Sequence, residues 1–243
     1  MPTMFPAFRR ADTARYLAIL VLILATIGFH LAAPDTEWSR LVIVLLQSGT
    51  LFLTLQVGRV HGLLDRVLLA LIAASVAISI VALAGFATLG DLDARLINLL
   101  LLAYAPIAML VGMVGDMRAR HRVTVRTVLG VLSIYLLIGL IFTFLFGIIA
   151  AESSSPFFKH GVEGSSSDYL YFSYATLTTV GYGDLIANLH LGRSVAIIEA
   201  LIGQIYLVSV VSLIVGNLGR LPSGGSLGAS VSSPRGGRAP GRR

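Results

Sequence analysis

Thr179-Val180-Gly181-Tyr182-Gly183-Asp184 is the stretch on which the reading of this chain turns. Gly181 and Gly183 stand at alternate positions, where they permit backbone angles that an L-residue resists. An extended chain with that freedom can turn successive carbonyls toward one axis. Several oxygens stacked at close spacing can then replace the water shell of a bare monovalent cation. Thr179 adds a hydroxyl at one end of the run, while Val180 and Tyr182 are free to point away from the axis and pack. Immediately before it, 168–179 is a short apolar-aromatic segment, too short to cross about 30 Å of hydrocarbon. It reads as a re-entrant helix that dips into a membrane and comes back. Irregular backbone at that depth is tolerable where it lines a watered path.

On either side lie long apolar runs, Thr127–Ala150 and Arg193–Leu218. The run Thr-Leu-Thr-Thr-Val-Gly-Tyr-Gly-Asp at 176–184 resembles the signature of the potassium-channel family, and the likeness extends over roughly Arg126 to Gly219. The resemblance implies a selectivity filter in which the carbonyls of Thr179, Val180, Gly181, Tyr182 and Gly183 take the place of the hydration shell of potassium. It also implies four chains around one pore, because each chain carries one such loop. Tyr171, Phe172 and Tyr174 are expected to form an aromatic collar, with Thr178 and Asp184 supporting the filter at its two ends. In many members a tryptophan at the position of Tyr171 bonds the aspartate after the filter; Tyr171 either does this through its hydroxyl or merely packs. Ala175 stands where the simplest bacterial members carry an acid. Ser167 or Asp168 is placed to cap the short helix, whose negative pole at Thr178–Thr179 would face the ion path.

Composition agrees with a membrane setting. Of 243 residues, 56% are apolar and only 12% charged, about half the charged share of an ordinary soluble domain. Mean hydropathy is +0.87. The expected fold is an all-α membrane protein of six transmembrane helices, about 16–33, 40–57, 66–87, 95–115, 127–150 and 193–218, with the pore helix and filter between the fifth and sixth. Residues 1–15 form a cytoplasmic N-terminus, 16–117 a four-helix sensor-like unit, 118–126 a basic linker, 127–219 the pore domain and 220–243 a disordered cytoplasmic tail. The first helix is read as retained, because its apolar stretch exceeds a usual signal core. With the N-terminus inside, fourteen of the eighteen Lys and Arg residues fall on the cytoplasmic side, a strong positive-inside bias. The pI of about 10.1 is thus a topology signal rather than a nucleic-acid one. Arg118, Arg120, Arg122 and Arg126 are candidates for contact with anionic lipid. The expected location is the plasma (inner) membrane, with both termini cytoplasmic.

In the sixth helix Glu199 is a carboxylate deep within a span, where an unpaired charge costs roughly 2.5–3.5 kcal/mol on insertion scales. It attracts cations or senses pH; alternatively it is a buried carboxyl bonded to hydroxyls of the short helix, with Ser173, Thr176 and Thr178 as candidates. Gln204, Leu207, Val211 and Val215 share a face, which in the family lines the inner cavity and gate. Gly203 falls where such channels keep a hinge glycine, although glycine in a span also permits close packing. The fourth helix lacks the arginine repeat of voltage sensors, so voltage gating is expected to be weak or absent. His30, Gln47, Gln56 and Asn98 are expected to make inter-helix hydrogen bonds. Cysteine is lacking, and no catalytic cluster stands out, so an enzyme is not expected and no cofactor beyond bound potassium ions is needed. The alternative is a non-conducting regulatory or structural subunit that assembles with other channels.

Overall fold

Apolar segments of some twenty residues satisfy their backbone polar groups internally only as helices, and helices account for nearly all of the described structure. The computed structural model describes residues 6–34, 36–58, 69–70, 73–74, 76–77, 96, 99, 102–110 and 125–218. Five α-helices are delimited among the described residues: α1 (Pro6–Ala32), α2 (Glu37–Gly58), α3 (Val125–Ala151), α4 (Ser166–Leu177) and α5 (His190–Leu218). Four of them carry stretches long and apolar enough to cross a membrane: Thr13–Ala32, Trp38–Val57, Val125–Ala151 and His190–Ser212. Of the expected third and fourth spans, residues 69–70, 73–74, 76–77, 96, 99 and 102–110 are described and the rest lie outside the described residues, as do Asn98, Arg118, Arg120, Arg122 and the tail at 220–243.

Hydroxyls within these helices are satisfied locally. Thr26 donates to the Leu22 carbonyl at 2.8 Å, Thr50 to Leu46 at 2.9 Å and Thr54 to Thr50 at 2.7 Å. Back-bonding of this kind lets a polar side chain sit inside an apolar layer without a partner on another helix. Gln47 differs from expectation. It is buried, and neither its amide nitrogen nor its oxygen finds a hydrogen-bond partner among the described residues. His30 is also buried and meets Phe144 edge-on at 6.2 Å, whereas Gln56 is exposed.

Two apolar cores hold the helices together. In the larger, Tyr16, Ile19 and Ile23 of α1 pack with Leu51 of α2, with Ile134, Leu137 and Leu140 of α3, and with Leu170 of α4. At one end of α1, Arg126 Nε donates to Thr13 Oγ1 at 3.0 Å and the arginine is buried. This arginine, expected at a lipid surface, thus bonds α3 to α1.

The second core surrounds the polar-looking loop between α3 and α4. Phe157 and Phe158 are buried there among Phe146, Tyr169 and Phe172, with ring centroids 4.9 to 5.9 Å apart. The same loop pairs with the chain beyond α4 through an antiparallel bridge between Phe158 and Ala187. Lys159 N donates to the Ile186 carbonyl at 2.9 Å, and Asn188 N to the Phe157 carbonyl at 2.7 Å. Chain entering α4 and chain leaving the glycine run are therefore tied to each other.

Candidate functional site: the turn after α4 and its supports

The start of α4 is fixed by a capping box. Ser165 Oγ accepts from the Asp168 backbone N–H at 3.2 Å, and the Asp168 carboxylate accepts from Ser165 N–H at 2.9 Å. The cap is thus Ser165, not Ser167 or Asp168. The helix opens two residues earlier than expected because Asp168 serves as the reciprocal acceptor three positions on, as the box requires.

At its other end α4 stops at Leu177, and the chain folds back. Thr178 N–H donates to Tyr174 at 3.0 Å and its hydroxyl to the same carbonyl at 2.6 Å. Thr179 N–H reaches Thr176 at 2.9 Å and Gly181 N–H reaches Ala175 at 3.1 Å. Positive φ then recurs at every second residue: Thr179 at 59°, Gly181 at 53° and Gly183 at 82°. Val180 and Tyr182 between them keep negative φ. Alternation of left- and right-handed backbone brings successive carbonyls to one side of the chain, instead of opposite sides as in a β-strand. Glycine adopts this without penalty, while Thr179 holds a conformation that disfavours an L-residue by about 1–2 kcal/mol. Such strain persists only where the surroundings fix it, and here the bonds to the end of α4 do so.

The residues expected to form a collar are divided by the structure. Tyr171 stacks on Tyr182 with centroids 6.1 Å apart and planes 10° from parallel. Its hydroxyl bonds Asp184. Phe172 turns instead into the aromatic core of the α3–α4 loop. Tyr174 points at α3, its hydroxyl donating to the Leu136 carbonyl at 2.6 Å. The hydrogen bond from Tyr171 holds the Asp184 carboxyl below the usual carboxylate range. Tyr171 itself is pushed upward, first by desolvation and then by that bond. A lowered carboxyl keeps its link intact above the ordinary aspartate range and loses it as pH falls through the lowered value. Carboxyl titration by NMR should accordingly place Asp184 below ordinary aspartate in the native chain and return it upward in Tyr171→Phe. An unchanged titration in that variant would remove the hydroxyl as the cause.

Support from behind comes from α3 and α5, through tyrosines that sequence reasoning passed over. Tyr135 of α3 donates to the Leu177 carbonyl at 3.2 Å, and Tyr206 of α5 donates to the Val131 carbonyl at 2.6 Å. Their rings stack at 5.6 Å. A tyrosine inside a span carries a hydroxyl that must find a partner, and that was the available signal. Gly139 makes room for this arrangement, since a Cβ there would lie 2.7 Å from the Tyr174 ring. Gly203 is used for close approach as well. A Cβ on it would run into the Leu177 carbonyl oxygen and come within 3.0 Å of Leu177 Cδ1. Of the hydroxyls considered for Glu199, Ser173 is the one it meets, with Ser173 Oγ 2.5 Å from Oε1.

On the opposite side α5 is open. Gln204 is exposed, as are Leu207 and Val211; the side chain of Val215 lies outside the described residues. The filter-like turn is open too, with Val180 and Tyr182 53% and 72% exposed in the single chain. Tyr182 has the Tyr171 ring on one side, and the remaining surface of both side chains is uncovered in the single chain.

Residues 130–219 match the family model described as Ion channel, which spans α3, α4, the glycine run and α5. No curated protein and no solved structure shows a significant match to the chain. The matched domain and the apolar helices together support a membrane-embedded ion-channel subunit.

Proposed function

We propose that this chain is one subunit of a tetrameric, potassium-selective channel that conducts passively down the electrochemical gradient. The observation that carries the reading is the alternating backbone at Thr179, Gly181 and Gly183, seated at the C-terminal end of a short helix between two spans. Potassium ions would bind the carbonyls of Thr179, Val180, Gly181, Tyr182 and Gly183 and the Thr179 hydroxyl, with the negative pole of α4 favouring a cation at the inner mouth. Open faces on Val180, Tyr182 and α5 are consistent with three further copies closing the path. The face bearing Gln204, Leu207, Val211 and Val215 would then line the inner cavity. Voltage dependence would be weak, because the fourth apolar segment carries no arginine repeat. Positive-inside bias favours an inner-membrane location with both termini cytoplasmic, and Arg118, Arg120 and Arg122 would meet anionic lipid there.

Purified protein in liposomes should pass potassium and rubidium far better than sodium. Equal sodium flux would overturn the selectivity assignment.

A further inference from the structure

Glu199 is fully buried although it sits on the helix with the most open surface. Its Oε1 lies 2.5 Å from Ser173 Oγ, and the same Ser173 Oγ lies 2.7 Å from the Gly139 carbonyl oxygen. Both contacts are short enough to require a hydrogen between the two oxygens. Ser173 supplies one hydrogen and a carbonyl supplies none. The second must therefore belong to Glu199. Its other oxygen, Oε2, has no hydrogen-bond partner among the described residues, and an ionised carboxylate could not be left so without a large desolvation cost.

Among the described residues, neighbouring groups offer no substitute proton or counter-charge. The elements packed against α5 are α3 and α4, and the titratable groups facing Glu199 from them are Tyr135 and Tyr174. Both hydroxyl hydrogens are committed, to the carbonyls of Leu177 and Leu136. Tyr206, on α5 itself, donates to Val131.

We infer that Glu199 is a proton-binding site: as a neutral acid it donates to Ser173, Ser173 donates to the Gly139 carbonyl, and this ordered chain latches α5, α4 and α3 together behind the glycine run. Loss of the proton reverses the Glu199–Ser173 bond. Ser173 must then turn its hydrogen to the carboxylate and abandon Gly139, so α4 loses one of its hydrogen bonds to α3, those between Tyr174 and Leu136 and between Tyr135 and Leu177 remaining. The latch is closed at low and neutral pH and opens as pH rises, because the proton is held in the folded state and stability falls wherever that state must give it up. Its effect on ion flux rests on the channel reading above; its existence does not.

The test uses the full chain in liposomes, as the native protein, Glu199→Gln and Ser173→Ala. At neutral pH the infrared spectrum should show the carbonyl stretch of a protonated carboxylic acid. That band should vanish in Glu199→Gln and shift in frequency in Ser173→Ala. On raising pH, the native protein should lose thermal stability and its potassium flux should fall roughly tenfold, the change expected from one buried hydrogen bond. Glu199→Gln, whose amide can still donate to Ser173, should hold both at alkaline pH. Absence of the carboxylic band, or an alkaline loss of stability equal in Glu199→Gln, would overturn the latch. If no sample conducts at any pH, the channel reading fails, while the band and the stability profile still decide the proton site.

Discussion

Alanine in place of Gly183 is expected to abolish discrimination between potassium and sodium, and Gly181→Ala should do nearly the same. Both glycines hold positive φ, 53° at Gly181 and 82° at Gly183, and a Cβ on either would meet nothing within 4 Å in the single chain. The cost within one chain is therefore conformational rather than steric. An L-residue in the left-handed region is disfavoured by about 1–2 kcal/mol, and four subunits would raise this to about 4–8 kcal/mol, comparable with the whole stability of a folded domain. The backbone would escape by flipping a peptide, which turns a carbonyl away from the ion path and an N–H toward it. Liposome flux should show potassium conduction reduced to background or its preference over sodium lost. Retained selectivity in both variants would mean that the observed alternation is not what coordinates the ion.

Gly203→Ala should be the most damaging small substitution outside the glycine run. The added methyl would be driven into the Leu177 carbonyl, whose carbon it would approach to 3.1 Å. Leu177 cannot withdraw easily, because its carbonyl also accepts from Tyr135. Forcing an extra carbon into a packed contact costs about 1–3 kcal/mol per site, and here it pushes α5 away from the end of α4. Thermal stability and flux should fall together. At Gly28, where a Cβ would meet nothing within 4 Å, alanine should instead be neutral or raise stability by up to about 1 kcal/mol. A Gly203→Ala protein with native stability and only altered opening would restore the alternative, that this glycine serves as a hinge.

What the amino-acid sequence disclosed, and what it withheld, follows the range of the interactions involved. Spans at 125–151 and 190–218 announce themselves by length and composition, and the structure ends them within three residues of the expected bounds. The positive φ of Gly181 and Gly183 was legible as well, since glycine at alternate positions has few other uses. Hidden were the contacts between elements far apart in the chain. Nothing local tells that Phe157 and Phe158, in a loop of serines, are buried at 2% and 1% exposure, because their partners sit on α3 and α4. Nor does spacing reveal that Phe172 turns away from the glycine run while Tyr171 turns toward it, a choice made by helix rotation. Glu199 was conspicuous as a carboxylate in a span; that its partner is Ser173 rather than Thr176 or Thr178 depends on the register between two helices.

The bridge between Phe158 and Ala187 bears on how such a protein comes into being. It closes the chain on itself across α4 and the glycine run, so the two flanks of the run are joined by bonds within one chain. Ser165, Tyr135 and Tyr174 likewise find their partners within the same polypeptide. If the chain assembles as proposed, a newly made copy could therefore mature this cassette at the translocon before any sister subunit arrives. In the proposed tetramer, what would be left for assembly is the exposed side chains of Val180 and Tyr182 and the open side of α5. Biogenesis of the proposed tetramer would then separate into two stages, a local one that shapes the backbone and a collective one that encloses the path. A defect in the first would yield subunits that fail to mature, whereas a defect in the second would yield mature subunits that stay apart.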